Sequence, residues 1–308
     1  MVTAVYLHDD CLWHENPPGH PEQVARLHAV ASGLAGLAVD RREAPVAADA
    51  EVLRCHPAAY LNAIRAAVPA AGRTRLDSET SLSPGSLTAA LRAVGGVCAA
   101  VDAVVTGEVA NAFVGTRPPG HHAEAETPMG FCIFGNVAIG AKRALDLHGL
   151  ARVAVVDFDV HHGNGTQALL WDEGRALFIT SQQMPLWPGT GDPSERGAHG
   201  QVVNLPLAPG SDGAVMRTVY EAEVFPRLLD WRPDLILISA GFDAHERDPL
   251  GGLLWTTEDF GWLTGRLCDV AAQVCHGRVV SVLEGGYDLQ ALAASVAAHV
   301  GMLEERGR

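Results

Sequence analysis

Short apolar segments rich in β-branched residues alternate along this chain with longer amphipathic or alanine-rich segments. Each short segment is typical of a buried strand, and each longer one of a helix. Strands are predicted at residues 4–7, 112–115, 152–156, 176–180, 234–239 and 278–283. Helices are predicted at residues 21–37, 85–105, 136–147, 213–229, 257–274 and 289–302. Strands separated by helices indicate an α/β fold of three layers, in which helices cover both faces of a parallel sheet.

The length of 308 residues fits one large α/β domain or two small ones. Because the chain has no long linker, fixed-period repeat or low-complexity block, we expect one catalytic domain over residues 1–308. No apolar run reaches the roughly 20 residues of a membrane span, and no basic segment precedes an apolar one near the start. We therefore expect a cytoplasmic protein without a membrane partner.

The charge balance bears on the class of partner. A formal net charge of -14, from 36 acidic and 22 basic residues, argues against nucleic acid, which needs a basic face. A cationic amine is a better match. Lys142 is the only lysine, and we interpret it as a solvated surface charge, which excludes Schiff-base and P-loop chemistry. The six cysteines form no C-x-x-C pair and are predicted to be buried apolar residues.

Four of the predicted strands run directly into polar clusters. These clusters occupy residues 115–122, 157–164, 240–243 and 284–288. In parallel α/β sheets, functional sites form outside the carboxyl ends of the strands. We therefore expect the four clusters to meet at one end of the sheet.

The second cluster contains the motif D-x-D-x-H-H. Alternation along an extended strand places Asp157, Asp159 and His161 on one face. With Asp243 as a third ligand beside Asp159 and His161, two carboxylates and an imidazole would leave a coordination position open, as catalytic zinc requires. The alternative is a set of buried groups that cap strand ends, but the second histidine and the glycines that follow favour a metal site.

The first and fourth clusters carry further groups suited to catalysis. His121 and His122 follow a diproline turn, and histidine suits proton transfer near neutral pH. A single histidine here would more often be structural, whereas two that face a metal motif favour catalysis. Tyr287 follows two glycines, and its phenol can donate a hydrogen bond to a developing oxyanion.

Together these motifs resemble the histone deacetylase superfamily, in particular its class II and bacterial deacetylase-like amidohydrolase branches. The resemblance runs from residue 19 to residue 289. It rests on Pro-Gly-His-His-Ala at 119–123, Gly-Phe-Cys at 130–132, the metal motif at 157–167, Pro-Gly-Thr-Gly at 188–191 and Ala-Gly-Phe-Asp at 240–243. It implies a doubly wound, mainly parallel sheet of about eight strands and one zinc ion per chain, held by Asp159, His161 and Asp243.

The resemblance also implies roles for the neighbouring side chains. His122 would act as general base and then as general acid, while His121 assists electrostatically and Tyr287 stabilises the oxyanion. Asp157 would bond to His121 and Asn164 to His122. An asparagine at position 164 marks the class II-like branch, since class I members tend to have aspartate there.

A narrow substrate tunnel is implied as well. Gly130, Phe131 and Trp187 resemble its walls, and Gly285 is a further candidate for contact with substrate. Leu250 stands where polyamine-selecting relatives carry a glutamate, which disfavours acetylpolyamines.

A structural potassium or sodium ion near the zinc is implied too. It would be held by carbonyls of Asp157, Asp159, His161 and Ser181 with the Thr180 hydroxyl. Arg26 matches an arginine that lines an internal channel in the family.

The sequence thus predicts a zinc-dependent amidohydrolase that removes acyl groups from lysine or a similar amine. An acetylpolyamine or small acylated-metabolite amidohydrolase is the alternative. An arginase-type ureohydrolase would need two manganese ions and a D-x-H-x-D motif that this sequence lacks. A non-catalytic acyl-lysine binder would have no use for the proton-transfer residues. The physiological substrate and a homo-oligomeric state stay open.

Overall fold

The strands belong to one large sheet and one small hairpin. In the computed structural model, which describes residues 2–308, the strands are β1 (Thr3–Leu7), β2 (Asp40–Glu43), β3 (Thr74–Arg75), β4 (Ser81–Leu82), β5 (Asn111–Val114), β6 (Val153–Asp157), β7 (Ala176–Gln183), β8 (Val202–Leu207), β9 (Leu235–Ala240) and β10 (Val279–Leu283). Eight of them form a sheet in the order β2-β1-β5-β10-β9-β6-β7-β8, and every pairing in it is parallel. Strands β3 and β4 pair separately as an antiparallel hairpin. The expected parallel sheet of about eight strands is confirmed.

Helices connect the strands and cover the sheet. They are α1 (Ala25–Leu34), α2 (Asp49–Val52), α3 (Ala58–Ala67), α4 (Ser86–Val105), α5 (Asn136–Asp146), α6 (Asn164–Leu169), α7 (Gly213–Val219), α8 (Phe225–Trp231), α9 (Thr257–Val274) and α10 (Leu289–Arg306). A 3₁₀ helix spans Asp9–Trp13, and a π-helical turn at Tyr220–Val224 joins α7 to α8. All six predicted strands and all six predicted helices are present, with boundaries that differ by a few residues.

Helix α1 begins later than the sequence predicted. Residues 21–24 are not helical because Glu22 is held by long-range contacts. Its carbonyl accepts a hydrogen bond from Asn16, and its carboxylate contacts Arg117. This segment is therefore tied to the loop after β5.

Both edge strands of the sheet differ from the pattern of a buried strand and were not predicted from the sequence. Strand β2 consists of four charged residues that alternate between half-buried and exposed positions. Strand β8 contains Pro206, which is exposed and lies on an edge, where a missing N–H costs no ladder hydrogen bond. Charge and proline are common at sheet edges because they block pairing with another chain.

Alternate residues of the central strands face two apolar cores. Val156 and Ile238 belong to the core under α1, α8, α9 and α10, whereas Val155 and Leu237 belong to the core under α4 and α5. The central strands are buried on both faces, which explains their continuous apolar sequence.

Helix α4 bears on the expectation that no segment spans a membrane. It is 20 residues long with a mean hydropathy of 1.6 in its most apolar window, so by length and composition it could cross a membrane. However, 67% of that window is buried inside the protein, and the helix packs against α5 and β5. Core helices with this composition pass the same test, so the helix is weak evidence for a membrane span.

The order of the sheet places the four polar clusters side by side. Strands β5, β10, β9 and β6 are consecutive neighbours, and each one ends at a cluster that the sequence singled out. Since all four strands are parallel, their carboxyl ends lie at the same edge of the sheet, as expected.

Candidate active site

Asp159, His161 and Asp243 form a compact, buried set of metal-ligand atoms. One donor atom from each residue lies within 4.8 Å of the others. His161 Nδ1 is 3.1 Å from Asp159 Oδ1 and 3.1 Å from Asp243 Oδ2. The backbone N–H of Val160 donates to Asp243 Oδ1 at 2.9 Å, which fixes that carboxylate. Two carboxylate oxygens and one imidazole nitrogen that converge in this way fit a divalent ion such as zinc.

The electrostatics of this set also favour a cation. Burial raises the pKa of Asp243, and the neighbouring Asp159 carboxylate raises it further. Two buried carboxylates this close repel each other unless positive charge lies between them. A metal ion would supply that charge.

His121 is paired with a buried carboxylate. Its Nδ1 lies 3.0 Å from Asp157 Oδ2, and its ring Nε2 lies 3.7 Å from Asp159 Oδ2. Burial alone would lower the pKa of His121, but the charges of Asp159 and Asp157 outweigh burial, and the pKa lies well above its ordinary value. The two carboxylates therefore favour the protonated form of His121.

His122 has a neutral partner instead. Its Nδ1 lies 2.8 Å from the amide oxygen Oδ1 of Asn164. Burial, reinforced by repulsion from His121 and His161, holds the pKa of His122 well below its ordinary value. The centroids of the two adjacent rings are 3.9 Å apart, yet their pKa values are shifted in opposite directions, which makes His122 the better suited of the two to accept a proton.

Tyr287 stands beside the metal ligands as a neutral phenol. Burial raises the pKa of its hydroxyl well above the ordinary value, so the group can donate a hydrogen bond. The guanidinium of Arg26 lies over the ring at 4.9 Å from its centroid, and Phe131 contacts the ring edge-on at 5.8 Å.

A cavity of about 330 Å³ opens from the surface onto these groups. It is lined by His20, Pro21, Ser78, Glu79, His122, Gly130, Phe131, His161, Leu186, Trp187, Leu250 and Tyr287. Gly130 has φ +54°, and a Cβ atom there would come within 2.6 Å of Trp187 and 2.8 Å of His122 Cγ. Only glycine fits at this wall, because the ring of Trp187 and the imidazole approach the backbone from the same side.

Similarity to known proteins agrees with this geometry. The family model described as "Histone deacetylase domain" matches residues 20–303. This chain belongs to the histone deacetylase family. As in its relatives, the chemistry is that of an amidohydrolase, and the buried Asp159, His161 and Asp243 are its metal-binding triad.

Bacterial and archaeal relatives of this deacetylase-family chain are similar along most of their length. The histone deacetylase-like amidohydrolase of Pseudomonas aeruginosa is 38% identical over 311 residues, with 92% of this chain and 81% of that protein covered. A probable deacetylase of Archaeoglobus fulgidus is 37% identical, with coverages of 94% and 82%. An uncharacterized protein of Synechocystis is 43% identical, with coverages of 96% and 97%. Among solved structures, the crystal structure of the HDA15 HD domain superposes with a TM-score of 0.94 at 31% identity, over 99% of this chain and 89% of that one.

Most of the residues that the sequence singled out meet at this site. Gly130, Phe131, Trp187 and Leu250 line the cavity, and that its walls form a substrate tunnel stays a prediction. Gly285 is placed differently: it lies behind the metal triad, where its backbone N–H donates to Asp159 Oδ2 at 2.9 Å, and it is not among the residues that line the cavity.

Three of the residues proposed for a monovalent ion, Asp157, Thr180 and Ser181, lie side by side on β6 and β7. Asp157 pairs with Thr180 across the two strands, and Ser181 follows. The Ser181 hydroxyl lies 2.7 Å from the Tyr220 hydroxyl, and the Thr180 hydroxyl donates to Gln182 at 3.3 Å.

A buried ionic network lies below the site and was not predicted from the sequence. The carboxylate of Glu22 binds both Arg26 and Arg117, and all three side chains are fully buried. Arg26 donates through Nε to the Gly286 carbonyl at 2.7 Å and through its second terminal nitrogen to the Glu284 carbonyl at 2.6 Å. No local pattern in the sequence joins Glu22 to Arg117, because 95 positions separate them in the chain.

Two other acidic residues near the site were also not assigned a role. Asp248 accepts hydrogen bonds from the backbone N–H groups of Tyr287 at 2.6 Å and Leu250 at 3.0 Å. Glu284 accepts from the N–H groups of Gly120 at 2.7 Å and His121 at 3.1 Å. Burial raises the pKa of Asp248 and of Glu284, in each case to about 7. Both residues lie inside or close to the clusters at the strand ends, which was the only available signal.

Proposed function

We propose that this chain is a zinc-dependent deacylase that hydrolyses the amide bond of acyl-lysine or of a similar acylated amine. The observation that supports it best is the convergence of the metal triad, an unprotonated histidine and a phenol donor at the bottom of one narrow cavity. The names of the Pseudomonas amidohydrolase and the Archaeoglobus probable deacetylase point to the same chemistry. We assign the whole catalytic machinery to one domain, since the family match spans residues 20–303.

The chemistry that zinc supplies in such a site is Lewis acidity, which polarises an amide carbonyl and makes water more acidic. The protein side chains do the rest. His122 accepts a proton from the attacking water through Nε2, since its Nδ1 bonds to Asn164. The same nitrogen then delivers a proton to the departing amine.

The tetrahedral oxygen that develops needs positive or donor groups. Tyr287 donates its hydroxyl hydrogen to that oxygen, and the raised pKa keeps the proton on the phenol. Asp157 bonds to His121 and favours its protonated form, which adds positive charge next to His122. We assign His121 an electrostatic role because the Asp157 and Asp159 carboxylates favour its protonated form.

The walls of the cavity support an extended aliphatic amine as substrate. Phe131 and Trp187 present aromatic surface on which methylene groups can pack without a charge partner. Leu250 lines the opening and offers no charge to a distal ammonium, which favours acyl-lysine over acetylpolyamines. A structural potassium or sodium ion next to β6 and β7 is part of this proposal, supported by the adjacency of Asp157, Thr180 and Ser181. The cytoplasmic location and a homo-oligomeric state stay predictions.

Metal analysis combined with turnover tests the proposal. The purified protein should contain about one zinc per chain and cleave an acetyl-lysine peptide, and a chelator should abolish turnover that added zinc restores. Asp243→Ala should lose both metal and activity, whereas Asp230→Ala, at an exposed position on α8, should keep both. A metal-free protein with chelator-insensitive turnover, or no turnover on any acylated lysine, polyamine or small amide, would contradict the proposal.

A further inference from the structure

The side chain of Asn164 bonds to two different groups with its two ends. Its Oδ1 lies 2.8 Å from His122 Nδ1, and its Nδ2 lies 2.8 Å from Glu124 Oε1. Asn164 is buried, whereas Glu124 is half-buried and lies at the edge of a neighbouring cleft. Glu124 does not line the substrate cavity, and its side chain meets the site at Asn164.

The chemistry of Glu124 decides which way the Asn164 amide points. An ionised carboxylate only accepts hydrogen bonds, so the amide atom that faces it has to be the N–H donor, Nδ2. The amide oxygen is then turned toward His122. Two weaker acceptors support the same orientation, the sulfur of Met129 at 3.3 Å and the His122 carbonyl at 3.4 Å from Nδ2.

The orientation of the amide in turn decides the tautomer of His122. Because the amide oxygen only accepts, Nδ1 of His122 carries the hydrogen and donates it to Asn164. The lone pair is then on Nε2, the ring nitrogen that remains free to take a proton from water. A flipped amide would present an N–H to Nδ1 and would stabilise the opposite tautomer, whose Nε2 is already protonated.

We propose that Glu124 is a positioning residue that locks the Asn164 amide and thereby keeps His122 in the tautomer required of a general base. The inference rests on the proposed function, since it needs His122 to be the base. A neutral asparagine can hold two orientations, whereas an aspartate at position 164 would accept from His122 in either one. With asparagine at position 164, the orientation of the amide is not fixed by the side chain itself, and Glu124 fixes it.

Steady-state kinetics of the zinc-loaded enzyme test whether Glu124 fixes the orientation of the Asn164 amide. Glu124→Ala should lower kcat on an acetyl-lysine peptide about tenfold, with KM within about twofold of the parent, because the substrate cavity is untouched. Glu124→Gln still offers an acceptor oxygen, but its amide can also flip. Its kcat should therefore lie between those of the parent and Glu124→Ala. Glu126→Ala is the matched control: Glu126 lies on the same loop, is exposed and stands two residues away, so kcat should not change.

Two further measurements separate positioning from general loss of structure. In an Asn164→Ala background, Glu124→Ala should cost no further activity, because the residue through which it acts is gone. Nitrogen-15 spectra of histidine-labelled protein should show His122 protonated at Nδ1 in the parent and a share of the Nε2-protonated form in Glu124→Ala.

Defined results overturn the inference. Equal kcat for Glu124→Ala and Glu126→Ala, a full additional loss in the Asn164→Ala background, or an unchanged His122 tautomer would each do so. If Glu124→Ala fails to fold, Glu124→Gln replaces it in the test: parent-like kcat together with an unchanged His122 tautomer in that variant would overturn the inference. Full turnover in His122→Ala would instead sink the proposed function, so the two failures are distinguishable.

Discussion

The floor and the rim of the cavity are built differently. The floor, which consists of the metal triad with His122 and Tyr287, is buried, and its polar groups are tied to partners such as Asn164, Val160 and Gly285. The rim, which consists of Phe131, Leu186, Trp187 and Leu250, is half-buried or exposed, and Trp187 is 39% exposed. The side chains of the rim offer apolar surface to a substrate and define the width of the opening.

This difference indicates a division of labour. Groups held by several hydrogen bonds cannot move without loss of the geometry that catalysis needs. Apolar rim residues contribute surface, which can change with modest effect on the chemistry. We therefore expect floor substitutions to lower kcat and rim substitutions to alter KM and substrate preference.

Among the floor and rim substitutions that leave the metal triad intact, the largest effect is expected for Tyr287→Phe, which removes the oxyanion donor and leaves the ring in place. Turnover should fall about a hundredfold or more at unchanged zinc content, as for the loss of other oxyanion donors. The measurement is kcat on an acetyl-lysine peptide together with metal analysis. Tyr6→Phe is the control, because that hydroxyl bonds to Ala99 in the body of the fold, and its kcat should match the parent. Full turnover in Tyr287→Phe would mean that the Tyr287 hydroxyl is not the oxyanion donor.

An intermediate effect is expected at Asp248, where floor and rim are connected. Its carboxylate binds the N–H of Tyr287 with one oxygen and the N–H of Leu250 with the other. Asp248→Ala should therefore lower kcat about tenfold and also raise KM, since both loops lose their anchor. Asp248→Asn keeps one acceptor oxygen and should show a smaller defect. Parent-like kcat and KM in Asp248→Ala would mean that the two regions are anchored independently.

How much of this could be predicted from the sequence depends on distance along the chain. Asp159 and His161 are only two residues apart, so their proximity could be predicted, although both lie in the bend after β6 and not on the extended strand that the sequence suggested. Asp243 joins them because β9 lies next to β6. Contacts such as Asp248 with Tyr287 arise only once the sheet is assembled, because 39 residues separate them in sequence. No local sequence pattern predicts such a contact.

The same reasoning applies to the edges and the rim. Strand β2 was missed because four charged residues do not resemble a buried strand, although they suit an edge. Ser78, Glu79 and Leu186 reach the cavity from loops, whose course depends on tertiary packing rather than on periodicity. The floor, made of residues that closely follow the ends of buried strands, could be predicted better than the rim for this reason.

The smallest effect on turnover is expected for Leu250→Glu, which changes the rim alone. A carboxylate at the opening should attract a distal ammonium with about 1 kcal/mol, which corresponds to roughly fivefold in kcat/KM. Catalytic efficiency on an acetylpolyamine should rise by that factor through KM, while kcat on acetyl-lysine stays within about twofold of the parent. Leu254→Glu is the matched control, since Leu254 is exposed four residues away and does not line the cavity. If Leu250→Glu lowered kcat as far as Tyr287→Phe does, the rim would take part in positioning the reacting groups, and the division between the two regions would fail.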